Sequence, residues 1–274
     1  MSNNPFGLPN LIITRFSYIG NSGWKLPIED REKILFDPAR LDLRLWLFEH
    51  ITVASLRAQT DQNFHHYILT SDQLPDWALL RLTEVCGAHF PAGKFTIDSQ
   101  PVGNARKYLR QFMVRSRLGN RLAQIVLDDD DGLASDFIAV VADQLNTAAA
   151  SGQFGTDDQR YFLSFSRGYG LVFADETCAQ PQVFQHRYPY INLGLTMVDQ
   201  ITASNILAID HLSAPKKSGC VPISGAPMFV RSVHAFNDSR VAQTERWKRV
   251  AGDTKDAELQ GRFAFQGNQP AGRV

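Results

Sequence analysis

The chain has 274 residues, enough for one large domain or two small ones around a sizeable core. It is 44% hydrophobic and 20% charged, and 28 Lys plus Arg balance 28 Asp plus Glu, which argues against a general nucleic-acid or membrane-charge binder. Three scattered cysteines (Cys86, Cys178, Cys220) form neither a disulfide framework nor a zinc spacing, and point to a reducing compartment.

No basic residue precedes Arg15 and the early apolar run is short, so the N-terminus does not read as a signal peptide. Nothing approaches 18 consecutive apolar residues, so no transmembrane helix is expected and the localisation expected is cytoplasmic. Leu11-Ile12-Ile13-Thr14-Arg15-Phe16 predicts a first buried strand, and residues 17–36, with Gly20, Gly23 and Pro27, read as a loop. Asp37-Pro38 is a helix start, an N-cap followed by Pro in the first turn, and the apolar spacing carries that helix to about Gln59. A second strand is expected over 66–70, a helix from Pro75 to about Val85, and a third strand over 95–98.

Residues 104–121 predict a helix with six basic side chains, and no acid occurs between Asp98 and Asp128. This reads either as a solvated basic face or as a phosphate contact, for which Arg106 near the helix start is best placed. A strand over 124–128 and a helix over 135–150 complete a βαβαβαβα alternation, the pattern of a doubly wound sheet. Beyond it, strands are expected over 161–165, 170–173 and 226–231, and residues 252–274 read as a polar tail. The expected organisation is one domain over 1–251, with a nucleotide-binding half (1–150) and an acceptor half (151–251).

The chemistry concentrates in Gln124-Ile125-Val126-Leu127-Asp128-Asp129-Asp130-Asp131-Gly132-Leu133. A buried strand here delivers four carboxylates to its C-terminal end, where open α/β sheets bind ligands. On an extended backbone Asp128 and Asp130 face one way, about 6.6 Å apart. Their repulsion, roughly 2.5 kcal/mol at an effective dielectric of about 20, would favour a divalent cation between them. It also predicts that Asp130→Asn stabilises the metal-free protein. The competing reading is an acidic turn capping the next helix.

Strand, Leu-Asp-Asp-Asp-Asp and then helix resembles the DxD region of GT-A-fold glycosyltransferases, with Asp128, Asp130 and Asp131 matching its carboxylates. Thr14-Arg15-Phe16, Arg44-Leu45-Trp46-Leu47-Phe48-Glu49, Ser55-Leu56-Arg57-Ala58-Gln59-Thr60 with Asn63-Phe64, and Leu127 to Leu133 resemble the bacterial rhamnosyltransferase family. The resemblance implies an α/β, GT-A-like, doubly wound mixed sheet flanked by helices. It also implies a nucleotide-sugar donor whose diphosphate is bridged by Mn²⁺ or Mg²⁺ to Asp128 and Asp130, with Asp131 and a C-terminal His, best His234 and next His211, as further ligands. Thr14, Arg15, Asp98, Asp128 and Asp129 are then expected around the donor, with Arg106 on a phosphate. The acceptor would be a glycan or lipid-linked hydroxyl, which leaves peripheral contact with a membrane open.

An inverting enzyme also needs a base, for which Asp157, Asp158, Asp175 and Glu176 stand unresolved as candidates. Two alternatives compete. Asp129-x-Asp131-Gly132 also resembles the nucleophile motif of haloacid-dehalogenase-like phosphohydrolases, though three α/β units precede it. A non-catalytic carbohydrate- or nucleotide-binding module, with Trp24 or Tyr190 stacking on sugars, is the other.

Overall fold

The computed structural model describes residues 7–20, 27–153, 160–173, 180–237 and 247–264. Strand β1 (Asn10–Phe16) opens the chain as expected. Helix α1 (Ile28–Leu35) forms in the stretch expected to be a loop. It buries only Leu35 and leaves Ile28 and Ile34 exposed, so no apolar stripe announces it in sequence. Helix α2 (Pro38–Leu47) starts at Asp37, whose carboxylate accepts the Arg40 N–H at 3.0 Å. It winds on through a π-helical stretch, Phe48–Val53, into α3 (Ala54–Arg57).

There follow β2 (Phe64–Ser71), α4 (Asp76–His89), β3 (Phe95–Gln100), α5 (Ala105–Ser116), β4 (Arg121–Val126), β5 (Gly132–Leu133) and α6 (Phe137–Ala150). Helix α5 is shorter than expected because Arg117 takes a left-handed conformation, φ 54°, and ends it. Arg121 consequently starts a strand instead of extending the helix's basic face. The second half supplies β6 (Tyr161–Leu163), β7 (Arg167–Val172), β8 (Gln182–Arg187), β9 (Thr196–Gln200), α7 (Ala214–Lys217), β10 (Phe229–Val233), β11 (Lys248–Arg249) and α8 (Ala257–Arg262).

The strands form two mixed sheets flanked by helices. The larger runs β3-β2-β1-β4-β9-β6, with the first four parallel and β9 and β6 each antiparallel to its neighbour. The smaller runs β11-β8-β7-β10-β5. Strand alternation divides the core. Ile12 and Phe16 of β1 point to one face with α2, α4 and α6, while Leu11 and Ile13 point to the other against Leu109, Phe112 and Met113 of α5. The expected polar tail is a docked segment at least through Phe263. Leu259 and Phe263, one helical turn apart, are buried, the Arg262 carbonyl accepts the Ser135 N–H at 2.8 Å, and its guanidinium pairs with Asp136.

Gln59 ties the end of α3 to the start of α6. Its Nε2 donates to the Ala134 carbonyl at 2.7 Å and its Oε1 accepts the Ile138 N–H at 3.1 Å, all buried. Gln59→Ala is expected to cost about 1–3 kcal/mol, because it strands the buried Ile138 N–H, while the Ala134 carbonyl keeps the Phe137 N–H at 2.9 Å. A lower urea midpoint at unchanged m-value is the readout.

His66 on β2 is fully buried, bonded through Nε2 to Thr14 Oγ1 at 2.9 Å, and burial pushes its pKa down to about 3. The fold therefore favours the neutral ring. That stability is complete above the unfolded pKa of 6.5 and is lost as the pH falls from about 6.5 towards 3. Near pH 4.5 the loss should reach about 2–3 kcal/mol. His66→Gln should flatten the fall in melting temperature between pH 6.5 and 4.5; an unchanged slope would clear His66 of that role.

Candidate functional site

The parallel strands β1 and β4 end side by side, and the carboxylates lie just past that end. Leu127 still donates to the Ile13 carbonyl at 3.0 Å, but Asp128–Asp131 then form a turn, closed by the Asp131 N–H on the Asp128 carbonyl at 3.3 Å. The extended geometry that would set Asp128 and Asp130 on one face is therefore lost. Gly132 resumes as β5 against β10, so close that a Cβ there would lie 2.9 Å from Val230.

Arg44 on α2 meets the turn. Its Nη2 and Nε donate to both oxygens of Asp129, the second at 3.2 Å, and its Nη1 donates to Asp130 Oδ2 at 2.5 Å. All three side chains are buried. Eight residues on, Thr52 Oγ1 donates to the Asp131 carbonyl at 2.9 Å. In an unbroken α-helix residues 44 and 52 would lie about 80° apart around the axis. The π-helical winding between them advances each residue by only about 80°, which brings both onto the face that holds the turn.

Asp130 Oδ2 also takes His234 Nε2 at 2.9 Å and Asn237 Nδ2 at 3.2 Å, both contributed by the segment after β10. Asp131 Oδ1 is committed to the Ser232 N–H at 2.8 Å. Burial raises the Asp131 carboxyl well above the usual range, and the neighbouring Asp130 and Asp128 charges add to this. Asp128 is likewise raised by burial, against the pull of Arg15, Arg44 and Arg231. One guanidinium serves both Asp129 and Asp130. Burial raises Asp129, with the Asp130 charge adding to it. Burial works the same way on Asp130, but Arg44 and His234 outweigh it and hold that carboxyl low. Asp130 thus keeps the charge.

Asp128–Asp131 line a cavity of about 330 Å³ with Arg15, Arg31, Arg44 and Arg231, and with Ser17 and Tyr18 at the end of β1, whereas His234 lies behind Asp130 and is not part of the lining. An arginine-lined cavity at the carboxyl end of parallel strands suits a phosphorylated ligand. Of the residues expected around a donor, Arg15, Asp128 and Asp129 line it. Thr14 points into the core against His66. Asp98 sits on the edge strand β3, accepting from Tyr67 Oη at 2.7 Å, and Arg106 is exposed in the first turn of α5. None of these three lines the cavity. Asp157, Asp158, Asp175 and Glu176 lie outside the described residues, as does Trp24.

Among the described residues no group of three or more His, Cys, Asp or Glu side chains is arranged to hold a metal ion. Two of the expected ligands are nonetheless brought together. The 2.9 Å between Asp130 Oδ2 and His234 Nε2 is what two adjacent ligands of an octahedral ion, each about 2.1 Å from it, would have. His234 Nδ1 is buried and without a hydrogen-bond partner among the described residues. His211 is elsewhere, bonded through Nδ1 to the Tyr190 carbonyl at 2.9 Å.

The sequence profile of the family described as "Putative rhamnosyl transferase" matches residues 10–246. The chain belongs to that family. No curated protein matches the chain by sequence. Among solved structures it is similar to S. aureus TarS, at 13% identity and TM-score 0.40, over 82% of this chain but only 37% of that one. It is also similar to a "putative nucleotide-diphospho-sugar transferase" from Desulfovibrio desulfuricans G20, at 9% identity and TM-score 0.32, over 85% of this chain and 80% of that one. Among the described residues, no helix of this family member is long and apolar enough to cross a membrane.

Proposed function

We propose that the protein transfers a glycosyl group from a nucleoside-diphosphate sugar, with nucleotide-activated rhamnose the first donor to try, to a hydroxyl of a glycan or lipid-linked acceptor. The observation that carries this reading is the cavity itself: Arg15, Arg31 and Arg231 around Asp128, at the carboxyl end of β1 and β4. Glycosyl transfer builds negative charge on the departing diphosphate, and guanidinium groups stabilise that charge without moving protons.

Asp130 and His234 would hold the divalent ion, Mn²⁺ or Mg²⁺. Two protein ligands suffice because such ions keep waters and take substrate phosphates instead of an all-protein cage. When bound, the ion would act as a Lewis acid towards the leaving diphosphate. Asp128 lies on the cavity wall with Arg15 and Arg231, whose charges favour its ionised form. Asp131 ties the turn after β4 to β10 by accepting the Ser232 N–H.

The test is a thermal-shift screen of nucleoside diphosphates with and without Mn²⁺. One base should raise the melting temperature only when Mn²⁺ is present, following the linkage of ligand binding to stability. Arg15→Ala, at an exposed side chain, should weaken that binding about tenfold while leaving the ligand-free melting temperature nearly unchanged. Equal binding by the mutant would remove Arg15 from the site, and no response to any nucleoside diphosphate would remove the donor.

A further inference from the structure

None of the basic side chains of α5 lines the cavity. Acids and bases balance over the whole chain, yet no acid occurs between Asp98 and Asp128, so the asymmetry is local. Leu109, Phe112 and Met113 hold one side of α5 on the larger sheet, and Arg106, Lys107, Arg110, Val114 and Arg115 are exposed. At about 100° per residue, Lys107, Arg110 and Val114 share the line furthest from the sheet, with Arg106 and Arg115 on its two flanks. Val114 is 54% exposed, one turn after Arg110 and just before the exposed Arg117 that ends the helix.

The segment after β9 extends this side of the molecule. Asn205 Nδ2 donates to the Arg106 carbonyl and Arg110 Nη2 to the Thr202 carbonyl, each at 2.8 Å. Ala214 at the start of α7 and Cys220 just after it pack against the same core cluster as α5. Lys216 and Lys217 are exposed between them, beside the exposed Leu212 and Val221. The exposed acid of this segment, Asp210, is occupied in capping the Leu212 and Ser213 N–H groups at 2.9 Å.

We propose that the side formed by α5 and α7 docks on an anionic phospholipid bilayer. The bases meet headgroup phosphates, and Val114, Leu212 and Val221 enter the interface. The charges call for a polyanion, and the apolar side chains choose among polyanions. A nucleic acid would pair with the bases and leave those three in water, whereas a bilayer takes both. A free diphosphate would need converging donors, but Arg106 to Arg117 alone spans about 16 Å at 1.5 Å per residue.

Helix α5 also borders the donor cavity. Tyr108 meets Tyr18 edge-on, with ring centroids 6.3 Å apart, and Gly103 pairs with Gly20; Tyr18 and Gly20 line the cavity. Docking therefore sets that rim near the headgroups, within reach of a lipid-linked hydroxyl. The inference deepens the acceptor part of the reading above and rests on it only for that consequence, since docking needs neither donor nor transfer.

The experiment measures co-sedimentation of the full chain with vesicles of phosphatidylcholine alone or mixed with phosphatidylglycerol, and separately its binding to duplex DNA. It compares wild type, the triple variant Lys107→Gln, Arg115→Gln and Lys217→Gln, and Val114→Gln. Wild type should bind the phosphatidylglycerol vesicles, less tightly as salt rises, and should not sediment with phosphatidylcholine alone. The triple variant, altered at exposed side chains only, should keep its melting temperature and bind those vesicles at least tenfold more weakly. Val114→Gln should weaken vesicle binding several-fold and leave DNA binding unchanged. No sedimentation of wild type with phosphatidylglycerol vesicles overturns the proposal, as does equal binding by the triple variant. Vesicle binding unchanged in Val114→Gln, with DNA bound at least as tightly as vesicles, makes the surface a general polyanion binder and overturns it too. Nucleoside-diphosphate release in solution should be equal in wild type and the triple variant. If wild type sediments with the vesicles but turns over no nucleotide sugar, the glycosyl-transfer reading fails and the docking surface stands.

Discussion

Asp130→Asn is expected to reduce nucleoside-diphosphate release from a nucleotide sugar by about 10²–10³-fold, the scale seen when a charge-stabilising group is removed from a site. The carboxylate is the one ionised group shared by Arg44, His234 and Asn237, and an amide there keeps the shape but not the charge. The same substitution is expected to lower the melting temperature of the metal-free protein, at a cost of about 1–3 kcal/mol. Repulsion among four extended carboxylates predicts the opposite sign. The turn and Arg44 reverse it, because Asp130 in the folded chain is attracted more than it is repelled. Apo-protein denaturation of wild type and mutant decides the sign, and a donor-turnover assay decides the size.

Gly168→Ala is expected to be the most damaging single change in the smaller sheet. Gly168 on β7 lies opposite Phe229 on β10, and a Cβ would sit 2.3 Å from the Phe229 carbonyl oxygen and 2.4 Å from its ring. Neither a backbone carbonyl in a sheet nor a fully buried ring has room to retreat, so the cost should exceed about 3 kcal/mol. Because β10 carries Arg231 and Ser232 and leads into His234, donor and metal binding should fall together with stability. Gly87→Ala provides the control. It lies in α4 with nothing within 4 Å of its Cβ, and alanine there should stabilise by about 0.5–1 kcal/mol.

The parallel half of the fold was readable because each of its elements carries a strong local signal. The apolar runs of β1, β2 and β4 and the Asp37-Pro38 start of α2 need no tertiary context. The second half was read poorly for the complementary reason. Gln182–Arg187 lacks a regular alternation and carries polar side chains on both faces, and Thr196–Gln200 is five residues with one aspartate, so neither reads as a strand by itself. They become strands by pairing with β7 and with β4.

At the site, the four aspartates stand out by their setting at a strand end and His234 enters only through the family resemblance, whereas the geometry among them cannot be read from either. Whether Asp129 and Asp130 face the same way depends on a turn that no propensity separates from a strand end. Arg44 lies in a block that carries the family resemblance, and nothing in its spacing to the aspartates marks it as their partner. A signal for it existed: Arg40 and Arg44 lie four apart on a helix otherwise apolar at its core face, and both are buried. Two buried arginines require carboxylates or carbonyls. Arg40 finds Ser17 and the Leu35 carbonyl, and Arg44 finds the aspartates. The same contact weakens the phosphohydrolase alternative, since its nucleophile would be Asp129, which is fully buried and gripped on both oxygens by Arg44.

The most direct test of glycosyl transfer is release of nucleoside diphosphate from a panel of nucleotide sugars incubated with the wild-type protein, Mn²⁺ and mixed glycan acceptors, alongside Asp130→Asn and a phosphomonoester control. The predicted result is release from one donor class, dependent on Mn²⁺, stimulated by acceptor and lost in Asp130→Asn. Release of inorganic phosphate from the monoester, or donor binding with no nucleoside diphosphate released under any acceptor, would contradict it.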